Sequence, residues 1–135
     1  NNMFFTIWYG VLDRRFDTLA SACAGHPPAL LVRPGGAPPE RLGERGLVLG
    51  GMPGTVYRSS TCGAPPGSKL FLVSDGAYEI HRDGHTMLDL AGLERMLVEA
   101  ARSGDDELDR VVAQVRALHG EGALDDDLSI LKVCV

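Results

Sequence analysis

The sequence predicts an α+β fold, and three observations carry that prediction. The first two-thirds of the chain alternates short apolar runs with glycine- and proline-rich breaks, the last third switches to a three- and four-residue apolar period, and the closing residues return to a strand-like run. Strands, then two helices, then one strand returning to a sheet is the α+β order.

Met3 to Leu12 is rich in aromatic and branched residues that suit a pleated, half-buried surface, and Asp13-Arg14-Arg15 stops it. The apolar run Thr18 to Ala24 follows closely enough to predict a hairpin. Gly25-His26-Pro27-Pro28 breaks that run, because each proline lacks an amide donor, and Ala29 to Arg33 resumes as a strand. Residues 34–54 hold four prolines and seven glycines, a composition that predicts a structured loop instead of a ladder. Within it Leu47-Val48-Leu49 is apolar enough to tuck into the fold, and Gly50-Gly51 permits a close backbone approach. Thr55 to Ser60 and Lys69 to Ser74 are the next predicted strands, joined through the turn Gly63-Ala64-Pro65-Pro66-Gly67.

Leu90, Leu93, Met96, Leu97, Ala100 and Ala101 recur at helical spacing, and Leu108, Val111, Val112, Val115 and Leu118 repeat the pattern. Ser103-Gly104-Asp105-Asp106 between them supplies a stop, a cap and acidic residues for the positive end of the second helix, which Gly120 and Gly122 terminate. Leu128 to Val135 is apolar at nearly every position, which predicts a central strand covered on both faces.

A length of 135 residues makes residues 1–135 one domain, large enough for a core without staples. The net charge of −5 disfavours diffuse attraction to nucleic acid or anionic lipid, so neither partner is expected. Three cysteines without a CxxC predict reduced, buried thiols, and no apolar stretch reaches the roughly 18 residues of a membrane span. With no basic-then-apolar leader, the expected location is the cytoplasm.

Two acidic sites stand at the ends of apolar strands. Leu70-Phe71-Leu72-Val73 runs into Ser74-Asp75-Gly76, and Asp125-Asp126-Asp127 precedes the closing strand. If the two ends are neighbours, their carboxylates repel by about 4 kcal/mol at 4 Å and an effective dielectric near 20, so a cation must offset them. Oxygen donors alone suit a hard ion such as Mg²⁺ or Mn²⁺, whose chemistry is the activation of water and the neutralisation of phosphate oxygens. Metal-assisted phosphoester hydrolysis is the matching reaction. Residue types alone leave a second reading open, with Asp75 capping the turn Ala77-Tyr78-Glu79-Ile80 and the aspartate triplet forming a solvated loop.

Taken together, Met3-Phe4-Phe5-Thr6, Tyr9-Gly10-Val11-Leu12-Asp13, Ala24-Gly25-His26-Pro27-Pro28, Ser74-Asp75-Gly76 with Glu79, and Asp126-Asp127-Leu128-Ser129 resemble the bacterial metal-dependent protein serine/threonine phosphatases of the stage II sporulation type, in the PPM superfamily. The resemblance implies a β-sandwich flanked by helices (α-β-β-α) and a binuclear Mn²⁺ or Mg²⁺ centre. Asp75 matches the aspartate of the family's Asp-Gly motif and Asp126 the first aspartate of its Asp-Asp/Asn-x-Thr/Ser motif, so both are expected metal ligands acting in catalysis through bound hydroxide. Gly76, Glu79, Asp127 and Ser129 are expected to support them. A phosphorylated partner protein, such as the antagonist of an anti-sigma factor, is the expected substrate, and homodimerisation is left open.

The family's earlier Gly-Asp-x-x-Asp-like and Asp-x-Ser-Gly-like motifs have no match before Met3. On this resemblance the chain reads as the C-terminal two-thirds of a phosphatase domain with part of its metal site. A catalytically silent phosphatase-like module for protein binding or dimerisation is the competing expectation, and a hydrolase of a small phosphorylated metabolite a more distant one. Other constellations read as structural. His81 and His85 flank an Asp83-Gly84 turn, His26 bonds within its own turn, His119 suits a helix C-terminus, and no GxSxG surrounds a serine. Met87 and Met96 read as helix-packing residues and Trp8 as core.

Overall fold

β1 (Ile7–Asp13) and β2 (Thr18–Ala24) form the expected antiparallel hairpin in the computed structural model of the protein, which describes residues 3–44, 46–82, 84–103 and 107–135. Its turn closes through the Arg15 N–H, which donates to Asp13 Oδ1 at 2.9 Å, and through Asp17, which takes a left-handed φ of 50° that aspartate tolerates. β5 (Ser59–Gly63) pairs with the other side of β2. The strand expected at Thr55 therefore begins four residues later. Thr55 Oγ1 donates to Met52 O at 2.8 Å and Tyr57 OH donates to Val48 O at 2.9 Å, and these bonds hold the segment in a loop.

A second sheet has the order β4-β3-β6-β9, with β3 (Ala29–Val32) between β4 (Glu40–Leu42) and β6 (Lys69–Val73), and β9 (Ile130–Cys134) at its edge. β4 corrects the expectation of a ladder-free loop over residues 34–54. Glu40 to Leu42 pair with β3, Leu42 is buried, and Arg33 forms an ion pair with Glu40. Burial and pairing outweigh a composition poor in strand formers. The close approach expected at Gly50 is present: a Cβ there would lie 2.6 Å from Met3 O.

β9 corrects a second expectation. It is an edge strand, with Leu131 58% and Val133 36% exposed. An apolar run records what each residue prefers, whereas coverage depends on which neighbours the topology supplies. The cysteines differ from expectation for the same reason: all three are free thiols, but Cys23 and Cys62 are half-buried and Cys134 is exposed.

The chain divides into two compact units, one running to Leu72 and including Lys132–Val135, the other Val73–Leu131. In the first, Leu19, Ala29, Leu31, Leu42, Ala64 and Leu70 form a single cluster that draws side chains from both sheets, and Trp8 packs on it as expected. The Trp8 indole N–H donates to Leu42 O at 2.8 Å, so β1 and β4 are tied by a hydrogen bond as well as by packing.

In the second unit β7 (Ile80–Arg82) and β8 (His85–Leu88) make a hairpin, which places His81 and His85 on strands and Met87 on β8 instead of a helix. Of the turn expected between them, Asp83 lies outside the described residues. α1 (Leu90–Ser103) and α2 (Glu107–His119) fall where the apolar period places them, and Leu93, Leu97, Val111 and Val115 are almost fully buried. Asp89 Oδ1 accepts the Gly92 N–H at 2.7 Å, an N-cap bond that starts α1. Most of the cap expected before α2 (Gly104 to Asp106) lies outside the described residues. Among those described, no helix is long and apolar enough to cross a membrane.

Candidate metal centre

The end of β6 delivers Ser74 and Asp75 into a 3-10 turn, Asp75–Ala77, in which Tyr78 N–H and Glu79 N–H both donate to Asp75 O, at 2.9 and 2.8 Å. The segment leading into β9 lies directly against it. Ser74 N–H donates to Ser129 O at 3.0 Å, Ser129 N–H donates to Ser74 Oγ at 2.9 Å, and Ser74 Oγ donates to Asp127 O at 2.8 Å. Gly76 completes the junction. A Cβ at this position would lie 2.6 Å from Asp127 O and 3.1 Å from the Asp126 carbonyl carbon, so the close approach requires glycine.

The segments carrying Asp75 and Asp126 are thus joined by one backbone bond and by two bonds through the Ser74 hydroxyl. Their carboxylates are prepared in the same way. Asp75 Oδ1 accepts the Gly76 N–H at 3.1 Å, and Asp126 Oδ1 accepts the Asp127 N–H at 2.7 Å. Each bond restrains one carboxylate oxygen and leaves Oδ2 without a protein partner among the described residues. Both side chains are exposed. The Asp75 side chain does not cap the turn that follows, because the Tyr78 and Glu79 N–H groups bond its backbone oxygen and Oδ1 takes only the Gly76 N–H, whereas the aspartate triplet is solvent-exposed at all three positions, as the second reading expected.

A cavity of about 210 Å³ is lined by Gly76, Glu79, Ile80, His81, Asp125 and Asp126, which brings Glu79 to the same place as Asp126. Asp75 lies one residue outside this lining. Asp127 and Ser129 contribute backbone groups to the junction. Ser74 was visible in the sequence only as the residue before Asp75; its role as a clasp depends on a partner 55 residues away.

The donor chemistry at this junction fits part of a hard-ion site. Asp75 and Asp126 offer carboxylate oxygens, the donors preferred by Mg²⁺ or Mn²⁺, and His81 brings an imidazole to the cavity that Asp126 lines. Among the described residues no group of three or more His, Cys, Asp or Glu side chains is gathered closely enough to hold an ion alone.

A family model described as Stage II sporulation protein E (SpoIIE) matches residues 1–135. The solved SiaA-PP2C domain of Pseudomonas aeruginosa matches with a TM-score of 0.81 and 22% identity, over 98% of this chain and 52% of that one. The manganese-presoaked phosphatase domain of the cell fate determinant SpoIIE from Bacillus subtilis matches with a TM-score of 0.69 and 14% identity, over 96% of this chain and 56% of that one. Protein IcfG of Synechocystis sp. is 25% identical over 134 residues, which are 97% of this chain and 20% of IcfG. The chain spans about half the length of these solved domains and a fifth of IcfG. The structural likeness shows a shared fold, the one expected from the motifs.

Proposed function

Because the chain belongs to the stage II sporulation protein E family, whose model covers all of it, we propose that it forms part of the catalytic centre of a metal-dependent protein serine/threonine phosphatase. The substrate is phosphoserine or phosphothreonine in a partner protein, with the phosphorylated antagonist of an anti-sigma factor as the specific candidate. The observation that supports this most directly is the Ser74, Gly76, Asp127 and Ser129 junction, which places the two aspartate-bearing strand ends side by side.

Asp75 and Asp126 would hold Mn²⁺ or Mg²⁺ through the oxygens that their own backbone bonds leave available. When bound, such an ion lowers the pKa of coordinated water and neutralises phosphate oxygens. The protein's part is to bring the two segments together at the Ser74 junction and to restrain one oxygen of each carboxylate through its own backbone bond. In the hydrolysis an oxygen of water bonds to phosphorus, the phosphorus–oxygen ester bond breaks, and the serine or threonine hydroxyl leaves with a proton.

The test is made in the full-length protein. Asp75→Asn and Asp126→Asn are expected to abolish Mn²⁺-dependent release of phosphate from a phosphoserine peptide while leaving the far-ultraviolet circular dichroism and melting temperature unchanged. Wild-type turnover in both variants would overturn the assignment.

A further inference from the structure

The segment carrying Asp126 is fastened on its C-terminal side by Ser74, which bonds Asp127 and Ser129. Its N-terminal side leaves α2 at Gly120, whose N–H donates to Arg116 O at 3.0 Å and whose φ of +95° turns the chain out of the helix. Beyond that turn, the end of α2 and the segment border an open cleft of about 730 Å³ lined by Arg116, His119, Gly120 and residues 122–128. Packing therefore does not press this arm onto the helix. Among the described residues, the polar contact that reaches the arm from α2 is His119 Nε2 to Asp125 Oδ2, at 3.9 Å.

The two partners differ in exposure. The His119 side chain is 11% exposed and the Asp125 side chain 74%. The imidazole is thus enclosed by the protein and the carboxylate faces solvent. His119 Nδ1 is buried without a hydrogen-bond partner. A carboxylate only accepts, so a neutral imidazole can serve Asp125 only with its proton on Nε2, which leaves Nδ1 as a bare lone pair. That is the arrangement in which Nδ1 carries no buried, unbonded N–H; the Nε2 contact, at 3.9 Å, is a polar contact longer than a hydrogen bond.

We propose that His119 is a positioning residue: through Asp125 it anchors the N-terminal arm of the Asp126 segment, opposite the Ser74 clasp, and so keeps the Asp126 carboxylate in place. The effect on metal binding rests on the phosphatase reading above; the anchoring does not.

Amide hydrogen exchange in the full-length protein without metal tests the anchoring. His119→Ala is expected to speed exchange at the hydrogen-bonded Asp127 amide about fivefold while Ser74 and Ser129 keep their protection. His119→Gln, which keeps an N–H near the Nε2 position, is expected to restore wild-type exchange, and the shorter His119→Asn is not. Asp125→Ala is expected to match His119→Ala, and the double variant to exceed neither. Wild-type exchange in His119→Ala, or additive effects in the double variant, overturns the proposal; should His119→Ala not fold, Asp125→Ala and His119→Gln carry the same comparison. Calorimetry with Mn²⁺ alone is expected to show roughly tenfold weaker binding in Asp125→Ala and wild-type affinity in His119→Gln. A wild-type protein that binds no Mn²⁺ defeats the phosphatase reading, and the exchange data still decide the role of His119.

Discussion

Ser74 and Ser129, 55 positions apart in the chain, exchange two hydrogen bonds. The Ser74 N–H donates to Ser129 O and the Ser129 N–H donates to Ser74 Oγ, at 3.0 and 2.9 Å. The same Oγ donates to Asp127 O at 2.8 Å. One hydroxyl therefore acts as donor and acceptor at once and ties the exit of one strand to the entry of another. Ser74→Ala removes both side-chain bonds. The expected loss of stability is about 1–2 kcal/mol by denaturant unfolding, with a larger relative loss of Mn²⁺ affinity, and Ser74→Thr is expected to recover most of both.

Gly76→Ala tests the closeness of the junction. Gly76 lacks a left-handed φ, so the substitution strains no dihedral angle; it places a methyl group 2.6 Å from Asp127 O. The obstacle is backbone on both sides and cannot rotate away. A destabilisation of about 1–3 kcal/mol is expected, with shifted amide resonances at Asp126 and Asp127 and loss of hydrolysis. Unchanged resonances at those two positions would contradict the geometry.

Trp8 is the one tryptophan of the chain and donates its indole N–H to Leu42 O. Trp8→Phe keeps most of the ring packing and gives up the bond, for an expected loss of about 1 kcal/mol. Trp8→Ala also removes the ring from the cluster around Leu31 and Leu42 and is expected to lose about 3 kcal/mol or more, read by circular dichroism because the fluorophore is gone.

Burial pushes the Cys23 and Cys62 thiols above the usual thiol range, and at Cys62 the Glu40 charge adds to the effect. A thiol whose folded pKa is raised contributes stability at pH values below its unfolded pKa and loses it as pH rises through the folded one. Native stability is therefore expected to fall above the ordinary thiol range, more gently in Cys23→Ala and Cys62→Ala. Iodoacetamide at neutral pH is expected to modify exposed Cys134 first. Equal labelling of all three would contradict this order.

The helices were legible because their signal is local. Leu93 and Leu97, or Val111 and Val115, meet the core at intervals set by the helical turn, and no distant residue is needed to read them. The β1–β2 hairpin was legible because its partners are neighbours in the chain. β4 was not: Glu40 to Leu42 become a strand only because β3 is available to pair, in a segment whose glycines and prolines argue otherwise. β9 was read correctly as a strand and wrongly as a central one.

Residue chemistry by itself determined the secondary-structure class, the oxygen-only donors that Asp75 and Asp126 offer, and the family to which their motifs belong. Tertiary structure alone decided that Ser74 would clasp Asp127 and Ser129, that Gly76 must be bare, and that His119 would face Asp125. The physical reason is the range of each cause. Periodicity and donor type are properties of a few consecutive residues, whereas a hydrogen bond across 55 positions exists only after the chain has closed the loop between its ends.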